Sequence, residues 1–186
     1  MTAASHRNQK QLSAPAEAEA RLDGVVAAHN SHDPAAFVAH FMPDGVVRIV
    51  PTGDTVQGHE QITAFLEGNL RAFPDWQLER RGLYHCADGI WVEWTITGTH
   101  ADEFMGHPAT RRGIELLGCS RFTFTTGGLI AEEALYVAPS TILHQLGLLS
   151  ERGVIEPAIG DATADSPTAN ALTALPGGRQ PKGRNR

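Results

Sequence analysis

The part of the chain after Asp75 constrains the fold most, because it consists of an almost unbroken series of strand-like stretches. Four stretches rich in β-branched and aromatic residues follow one another: WQLERRGLYHC, GIWVEWTITGTH, IELLGCSRFTFTT and GLIAEEALYVA. The turn sequences ADG and TGG join the first to the second and the third to the fourth, as in β-hairpins. The series predicts an antiparallel meander.

Three helical segments precede this meander. The first begins near Glu19 and places apolar residues at helical spacing. The second follows Asp33, a predicted N-cap, with Pro34 at the first helical position. A strand over 46–50, a loop over PTGDTVQGHE and a third helix over EQITAFLEGNLRAF come next, and PSTILHQLGLL predicts a short closing helix or loop.

Helices followed by an antiparallel meander predict an α+β fold. A curved sheet wrapped by three helices encloses a cone-shaped interior, which is filled either by side chains or by a ligand. We expect this cone domain over residues 18–150. Residues 1–17 are polar and residues 151–186 are rich in Ala, Pro and Gly, so both ends are predicted to be disordered.

Charge and composition exclude several classes of protein. The 186 residues carry a net charge of -6, which argues against binding nucleic acid or an anionic membrane. We find no signal peptide and no apolar run of membrane-spanning length, and the two cysteines, Cys86 and Cys119, are typical of free thiols in a cytoplasmic protein. The nine histidines show no metal-binding spacing, so no metal is expected.

The strand over 90–100 points to a ligand-binding interior. Its residues alternate between two faces, and one face carries Val92, Trp94, Ile96 and, at its end, His100. An apolar face that ends in one polar group is typical of a pocket wall, although a packed core that ends at solvent has the same pattern.

Four segments together resemble one known family. They are AHNSHDPAAFVAHFMPDGVV, GHEQITAFLEGNLRAFPDW, VEWTITGTHADEFMGHPATRR and LIAEEALYVAPSTILHQLGLL, and their order and spacing match from about residue 20 to 149. On these motifs the chain resembles the SnoaL-like polyketide cyclases and the related ester cyclases, which have the cone-shaped fold of nuclear transport factor 2.

This resemblance implies a homodimer or homotetramer with an apolar cavity and no metal or organic cofactor. The best-known members close a ring of a polyketide intermediate by intramolecular aldol condensation. In them a carboxylate on the last strand takes a proton from a carbon next to a carbonyl, and polar neighbours hold the enolate oxygen. An apolar pocket raises the pKa of such a carboxylate and makes it a better base.

The chain departs from the family at positions that bear on catalysis. The family's acid position falls on Ala138 in LYVAPSTILHQLG, so the usual base is absent in that register. In GTHADEFMGHPATRR, Asp102 and Arg111 stand where the family has Gly, and His107 stands where it has an aliphatic residue. Either the acid–base groups have moved to this connection, or the connection is an exposed loop whose sequence has drifted.

We select two groups of candidate site residues. The catalytic candidates are His100, His107 and Asp102. The substrate-binding candidates are Asn30, His29, Trp94, Phe104, Arg111, Phe122, Tyr136 and Ala138. The structural alternatives are a helix C-cap for His29 and Asn30, a backbone-bonded histidine for His100, and core packing for the aromatic residues. Glu132 shares the strand face of Tyr136 and Ala138, which makes it a candidate displaced acid.

Three functional hypotheses stay open. The first is a cofactor-independent cyclase of secondary metabolism that closes a ring, by an aldol-type reaction, in a hydrophobic polyketide-like intermediate. The second is epoxide hydrolysis, dehydration or isomerisation on the same fold, and epoxide opening would require Asp102 and Arg111 to face the interior. The third is a non-catalytic accessory protein that binds a small molecule, which alanine at position 138 would permit.

Overall fold

A computed structural model describes residues 15–149 of the chain. The elements are α1 (Pro15–Asn30), α2 (Pro34–Val38), β1 (Phe41–Ile49), β2 (Asp54–Gln57), α3 (Gly58–Ala72), β3 (Gln77–Cys86), β4 (Gly89–Thr99), β5 (Gly113–Phe124), β6 (Ile130–Tyr136) and α4 (Pro139–Gln145). The predicted disordered ends lie outside the described residues, except that α1 already includes residues 15–17.

The six strands form one curved sheet in the order β2-β1-β6-β5-β4-β3. Strands β3 to β6 pair antiparallel with their sequence neighbours, so the predicted meander is confirmed. Strand β1 joins the sheet parallel to β6. The predicted loop over PTGDTVQGHE is wrong in part, because Asp54–Gln57 pairs with β1 and forms the edge strand β2.

Local sequence signals explain where two helices begin. Asp33 caps α2, as predicted, since its Oδ1 accepts a hydrogen bond from Ala36 N over 2.9 Å. Helix α3 follows β2 without a connecting loop, and its first residue, Gly58, has a φ of 80°. Glycine adopts this left-handed conformation without the steric cost that a side chain would add.

The hydrophobic core lies between the helices and one face of the sheet, which we call the inner face. It contains side chains from α1 (Leu22, Val25), α3 (Ile62, Leu66) and the central strands. This arrangement confirms an α+β fold with helices that cover a curved sheet. No helix within residues 15–149 is both long and apolar enough to span a membrane.

Candidate active site

A cavity of about 130 Å³ lies between the inner face of the sheet and the helices. An engineered protein cavity of about 150 Å³ binds benzene, so this space has the size of a small ring. Most of the lining side chains are apolar. Apart from two tryptophans, the lining residues with polar or charged groups are His29, Asn69, Arg80, Ser120 and Glu133. An apolar pocket with a few polar groups is typical of a small-molecule site.

Strand alternation directs the side chains of β4 and β5 into this cavity. The lining residues of β4 are Val92, Trp94 and Ile96, as predicted, and those of β5 are Leu116, Ser120 and Phe122. Gly118 pairs with Trp94 across the two strands, and a Cβ at Gly118 would lie 2.2 Å from the indole ring. The missing side chain at Gly118 therefore leaves the space that the indole occupies.

Strand β6 brings a carboxyl group to this apolar wall. Glu133 pairs with Phe122 in the β5–β6 ladder, shares its face of the sheet and lines the cavity. Burial raises the pKa of Glu133 from 4.5 to about 7, while the hydrogen bond from Ser120 lowers it by a smaller amount. The carboxyl therefore changes its charge near neutral pH, which suits a general base or a general acid.

Two neighbouring side chains fix the hydrogen bonding of Glu133. Trp94 Nε1–H donates to Ser120 Oγ over 3.0 Å, and the Ser120 hydroxyl donates to Glu133 Oε1 over 2.8 Å. Because an indole N–H can only donate, Ser120 accepts from Trp94 and its own hydrogen is left for the carboxylate. Glu133 Oε2 has no hydrogen-bond partner within the described part of the chain, so it is the oxygen open to a ligand.

His29 lines the same cavity from the last turn of α1 and is 7% exposed. Burial lowers its pKa to about 4, and the neighbouring His32 adds to this effect. Trp76 Nε1–H donates to His29 Nε2 over 3.2 Å. Since the ring is neutral at pH 7 and Nε2 accepts, the ring hydrogen is on Nδ1, and this atom has no partner among residues 15–149.

A family model for the SnoaL-like domain matches residues 22–133, which is more than half of the chain. The chain belongs to the SnoaL-like family. Its fold is accordingly that of the SnoaL-like proteins, as the sequence motifs predict. No curated protein matches the chain significantly.

Solved structures of similar proteins agree with this assignment. The chain is 29% identical to AclR from Streptomyces galilaeus, which carries a provisional hydroxylase assignment; the match covers 74% of this chain and 100% of AclR, with a TM-score of 0.65. IdmH from Streptomyces antibioticus, a provisional polyketide cyclase, is 26% identical, and the match covers 70% of this chain and 98% of IdmH, with a TM-score of 0.57. A provisional SnoaL-like polyketide cyclase from Jannaschia sp. CCS1 shares the fold at 15% identity, over 75% of this chain and 99% of its own, with a TM-score of 0.66.

The cavity of this SnoaL-like domain brings together only part of the predicted site. Four of the predicted substrate-binding residues line it, namely His29, Trp94, Phe104 and Phe122. Asn30 lies outside the lining because its side-chain amide is hydrogen-bonded to the backbone of Leu78. Its Nδ2 donates to Leu78 O over 2.8 Å, and its Oδ1 accepts from Leu78 N over 2.7 Å. Asn30 therefore ties the end of α1 to β3.

His100 is fully buried behind the cavity wall rather than in its lining. Its Nδ1 accepts a hydrogen bond from Thr110 N over 3.1 Å, and its ring centroid lies 5.4 Å from that of Phe73 and 6.2 Å from that of Phe104. Burial is the main cause that lowers the pKa of His100. These contacts hold the connection between β4 and β5 against the core.

The remaining polar candidates on this connection also lie outside the cavity lining. His107 is buried, and its backbone forms an isolated bridge with Phe104. Asp102 is exposed and accepts a hydrogen bond from Glu103 N, and Arg111 is exposed with a φ of 60°. Within the described residues, no cluster of three or more His, Cys, Asp or Glu side chains could hold a metal ion.

The predicted orientation of Tyr136 and Ala138 towards the cavity is wrong. Tyr136 packs against Trp91, with ring centroids 5.2 Å apart, on the face of the sheet opposite the cavity, which we call the outer face. Ala138 is exposed and is the N-cap residue of α4. The alternation of β6 directs Glu133 and Leu135 inward instead, and Val137 follows them in the lining.

Glu133 and Ser120 are therefore absent from the predicted site residues, and Glu132 is the predicted displaced acid instead. Glu132 shares the outer face with Tyr136, where it forms ion pairs with Arg48 and Arg121. A signal for the correct alternation is present in the sequence, since the apolar residues Leu135 and Val137 have the same parity as Glu133.

Proposed function

We propose that this SnoaL-like chain is an enzyme that removes a proton from a carbon next to a carbonyl, in a hydrophobic polyketide-like substrate, and then closes a ring by aldol addition. The proposal needs no metal or organic cofactor. The observation that carries it is Glu133, whose carboxyl has a pKa raised to about 7 in an apolar cavity, with one oxygen held by Ser120 and the other open.

The reaction that we propose begins with ionised Glu133. Its Oε2 accepts the proton, and the electrons of the broken C–H bond form an enolate. The enolate carbon attacks a second carbonyl of the same molecule, so that a C–C bond forms and the electrons of that carbonyl move to its oxygen. Glu133 then returns its proton to this alkoxide, which regenerates the carboxylate.

The positions of the charged groups distinguish among the alternative functions. Epoxide opening by Asp102 and Arg111 would require both in the cavity, but both are exposed on the β4–β5 connection. Isomerisation and dehydration begin with the same proton transfer to Glu133 and differ from cyclisation in their products. A carboxyl that titrates near neutrality and is open to the cavity supports catalysis over a purely accessory role.

Hydrogen exchange tests the first step without the natural substrate. We would incubate the protein with acetophenone in deuterated water and follow, by NMR, the exchange of the protons next to the carbonyl. We expect Glu133→Gln to lower the catalysed rate by ~10²-fold, because the amide is not a base. Glu132→Gln is the matched control, since Glu132 lies on the outer face, and it should retain the rate. Equal rates for wild type and Glu133→Gln would contradict the proposal.

We also propose that the protein is a homodimer in the cytoplasm and acts in the biosynthesis of an antibiotic or another secondary metabolite. The outer face supports the dimer, because Leu117 is 76% exposed there and Tyr136 packs on Trp91 on the same face. Leu117→Lys should convert a dimer into a monomer in light scattering, while Gln77→Lys on the edge strand β3 serves as a comparison. A monomeric wild type would contradict this part of the proposal.

A further inference from the structure

Three buried histidine nitrogens lack a hydrogen-bond partner within residues 15–149, namely His29 Nδ1, His100 Nε2 and His107 Nδ1, and of these three residues His29 is the one that lines the cavity. Buried polar groups in proteins are nearly always hydrogen-bonded, and an exception calls for an explanation. Because His29 belongs to the cavity lining, a ligand is a candidate for the missing acceptor.

The surroundings of His29 fix which atom donates. Trp76 Nε1–H can only donate, so His29 Nε2 must accept and the ring hydrogen is held on Nδ1. The imidazole packs between Phe37 and Trp76, with ring centroids 5.9 Å and 6.0 Å away. The tautomer and the position of the His29 ring are therefore fixed before a ligand enters. A donor fixed in this way can stabilise a negative charge on the ligand without having to move first.

Two other polar groups of the cavity already have partners. Ser120 donates to Glu133, and Arg80 is paired with Asp23, with Nη1 2.5 Å from Oδ1. Asn69 also lines the cavity, with an amide that has no partner within the described residues, but it is only half-buried. The free base is Glu133 Oε2, and the free donor that is buried is His29 Nδ1–H. A ligand that uses both offers an acidic C–H to the first and an acceptor oxygen to the second.

We propose that His29 Nδ1–H donates a hydrogen bond to the oxygen of the carbonyl whose neighbouring carbon Glu133 deprotonates. The inference rests on the proposed function and names the group that holds the enolate oxygen. When Glu133 removes the proton, the electrons of the C–H bond move into the new C=C bond and those of the C=O bond move to oxygen. His29 keeps its proton and stabilises the oxygen as a neutral donor.

Two ligands of the same shape test this donor. Acetophenone has a carbonyl oxygen where α-methylstyrene has a CH₂ group. We would measure both dissociation constants well above pH 7, where Glu133 is ionised and cannot donate. The affinity for acetophenone relative to α-methylstyrene should be about 5-fold or more higher in wild type than in a variant that lacks the donor, as one hydrogen bond provides.

Variants of His29 test whether this side chain causes the preference for acetophenone. His29→Phe keeps a ring without a donor, so the carbonyl would be buried without a partner and the relative affinity should shift towards α-methylstyrene. His29→Gln offers both an acceptor for Trp76 and a donor for the ligand, so it should retain a preference. A ratio of the two dissociation constants that is the same in wild type and in His29→Phe would overturn the proposal.

Nitrogen NMR of the His29 imidazole tests the proposal in the wild-type protein, so it does not require that any variant folds. At pH 7, Nδ1 should carry the hydrogen, and its resonance should shift with acetophenone but not with α-methylstyrene. A hydrogen on Nε2, or no shift, would overturn the proposal. Glu133→Ala, which offers the ligand no donor, should keep the ligand preference and lose exchange, so a failure of Glu133 as the base is distinguishable from a failure of His29 as the donor.

Discussion

The Ser120 hydroxyl donates a 2.8 Å hydrogen bond to Glu133 Oε1, and it is the partner that stabilises the charge of this half-buried carboxylate. The bond favours the ionised form, whereas the apolar cavity favours the protonated form. Burial has the larger effect, so the pKa of Glu133 rises to about 7. The bond also occupies one carboxylate oxygen and leaves the second for chemistry.

Removal of this hydroxyl should move the pH dependence of the reaction. Ser120→Ala takes away the bond that lowers the pKa of Glu133, so the pKa should rise further and the pH–rate profile for exchange should shift to higher pH. Trp94→Phe is the comparison, because it removes the donor to Ser120 but keeps the bond to Glu133, and its shift should be smaller. An unchanged profile in Ser120→Ala would contradict this role of the bond.

Glu133 and His29 should affect stability with opposite dependence on pH. The pKa of Glu133 rises on folding from 4.5 to about 7, so the folded protein loses stability as pH rises through this window. The pKa of His29 falls on folding from 6.5 to about 4, so stability is gained as pH rises from about 4 to 6.5. Each effect amounts to about 3 kcal/mol at most, and the two largely cancel where the windows overlap.

Single variants should reveal each contribution to the free energy of unfolding. In Glu133→Gln, stability should rise with pH between about 4 and 6.5, because the contribution of His29 is no longer cancelled there. In His29→Phe, stability should fall between 4.5 and about 7, because the contribution of Glu133 is then uncompensated. Urea unfolding at a series of pH values measures both slopes. Parallel curves for the two variants would show that these shifts are absent.

Ala138→Asp should stabilise the protein rather than restore a catalytic base. Ala138 is the exposed N-cap of α4 and has no side-chain hydrogen bond, and Pro139 follows at the first helical position. An aspartate at an N-cap accepts a backbone N–H bond and contributes about 1 kcal/mol. Thermal unfolding should show a higher Tm, with Ala138→Asn as the uncharged control. A lower Tm for both variants would contradict this placement of position 138.

Loss of His100 should lower stability more than it lowers catalysis. His100→Ala removes a buried ring packed on Phe73 and leaves Thr110 N without its acceptor, which should cost about 2 to 4 kcal/mol. Urea unfolding measures that loss. The exchange rate per folded molecule should stay within a few-fold of the wild-type rate, because His100 lies outside the cavity lining. A ~10²-fold loss of exchange in folded His100→Ala would contradict this prediction and show that His100 takes part in catalysis.

The fold could be predicted from the sequence because the pattern of apolar and polar residues repeats along whole helices and strands. Strand β4 alternates over eleven residues, and Val92, Trp94 and Ile96 lie on one face. Because the pattern is this long, it does not depend on any single position. The short strand β2 escaped detection because its four residues lie among turn-forming residues and depend on pairing with β1. A short edge strand whose stability comes from pairing and not from its own residues leaves little local signal.

The site was less accessible because single positions decide it. The β6 sequence IAEEALY offers two adjacent carboxylates, and a shift of one residue in the alternation exchanges them between cavity and surface. The polar composition of the β4–β5 connection suggests a site, but the side chains of Asp102, His107 and Arg111 lie outside the cavity lining. The roles of Glu133 and His29 depend on hydrogen-bond partners that lie 13 and 47 residues away in the chain.

The titration of Glu133 itself tests the proposed base most directly. NMR of its side-chain carboxyl carbon, assigned by comparison with Glu133→Gln, follows the ionisation without any assumption about the substrate. We predict a midpoint of about 7 in the wild-type protein, which moves higher in Ser120→Ala. A midpoint near the ordinary value of 4.5 would mean that the carboxyl is solvated and not held in an apolar cavity, and it would contradict the assignment of Glu133 as the base.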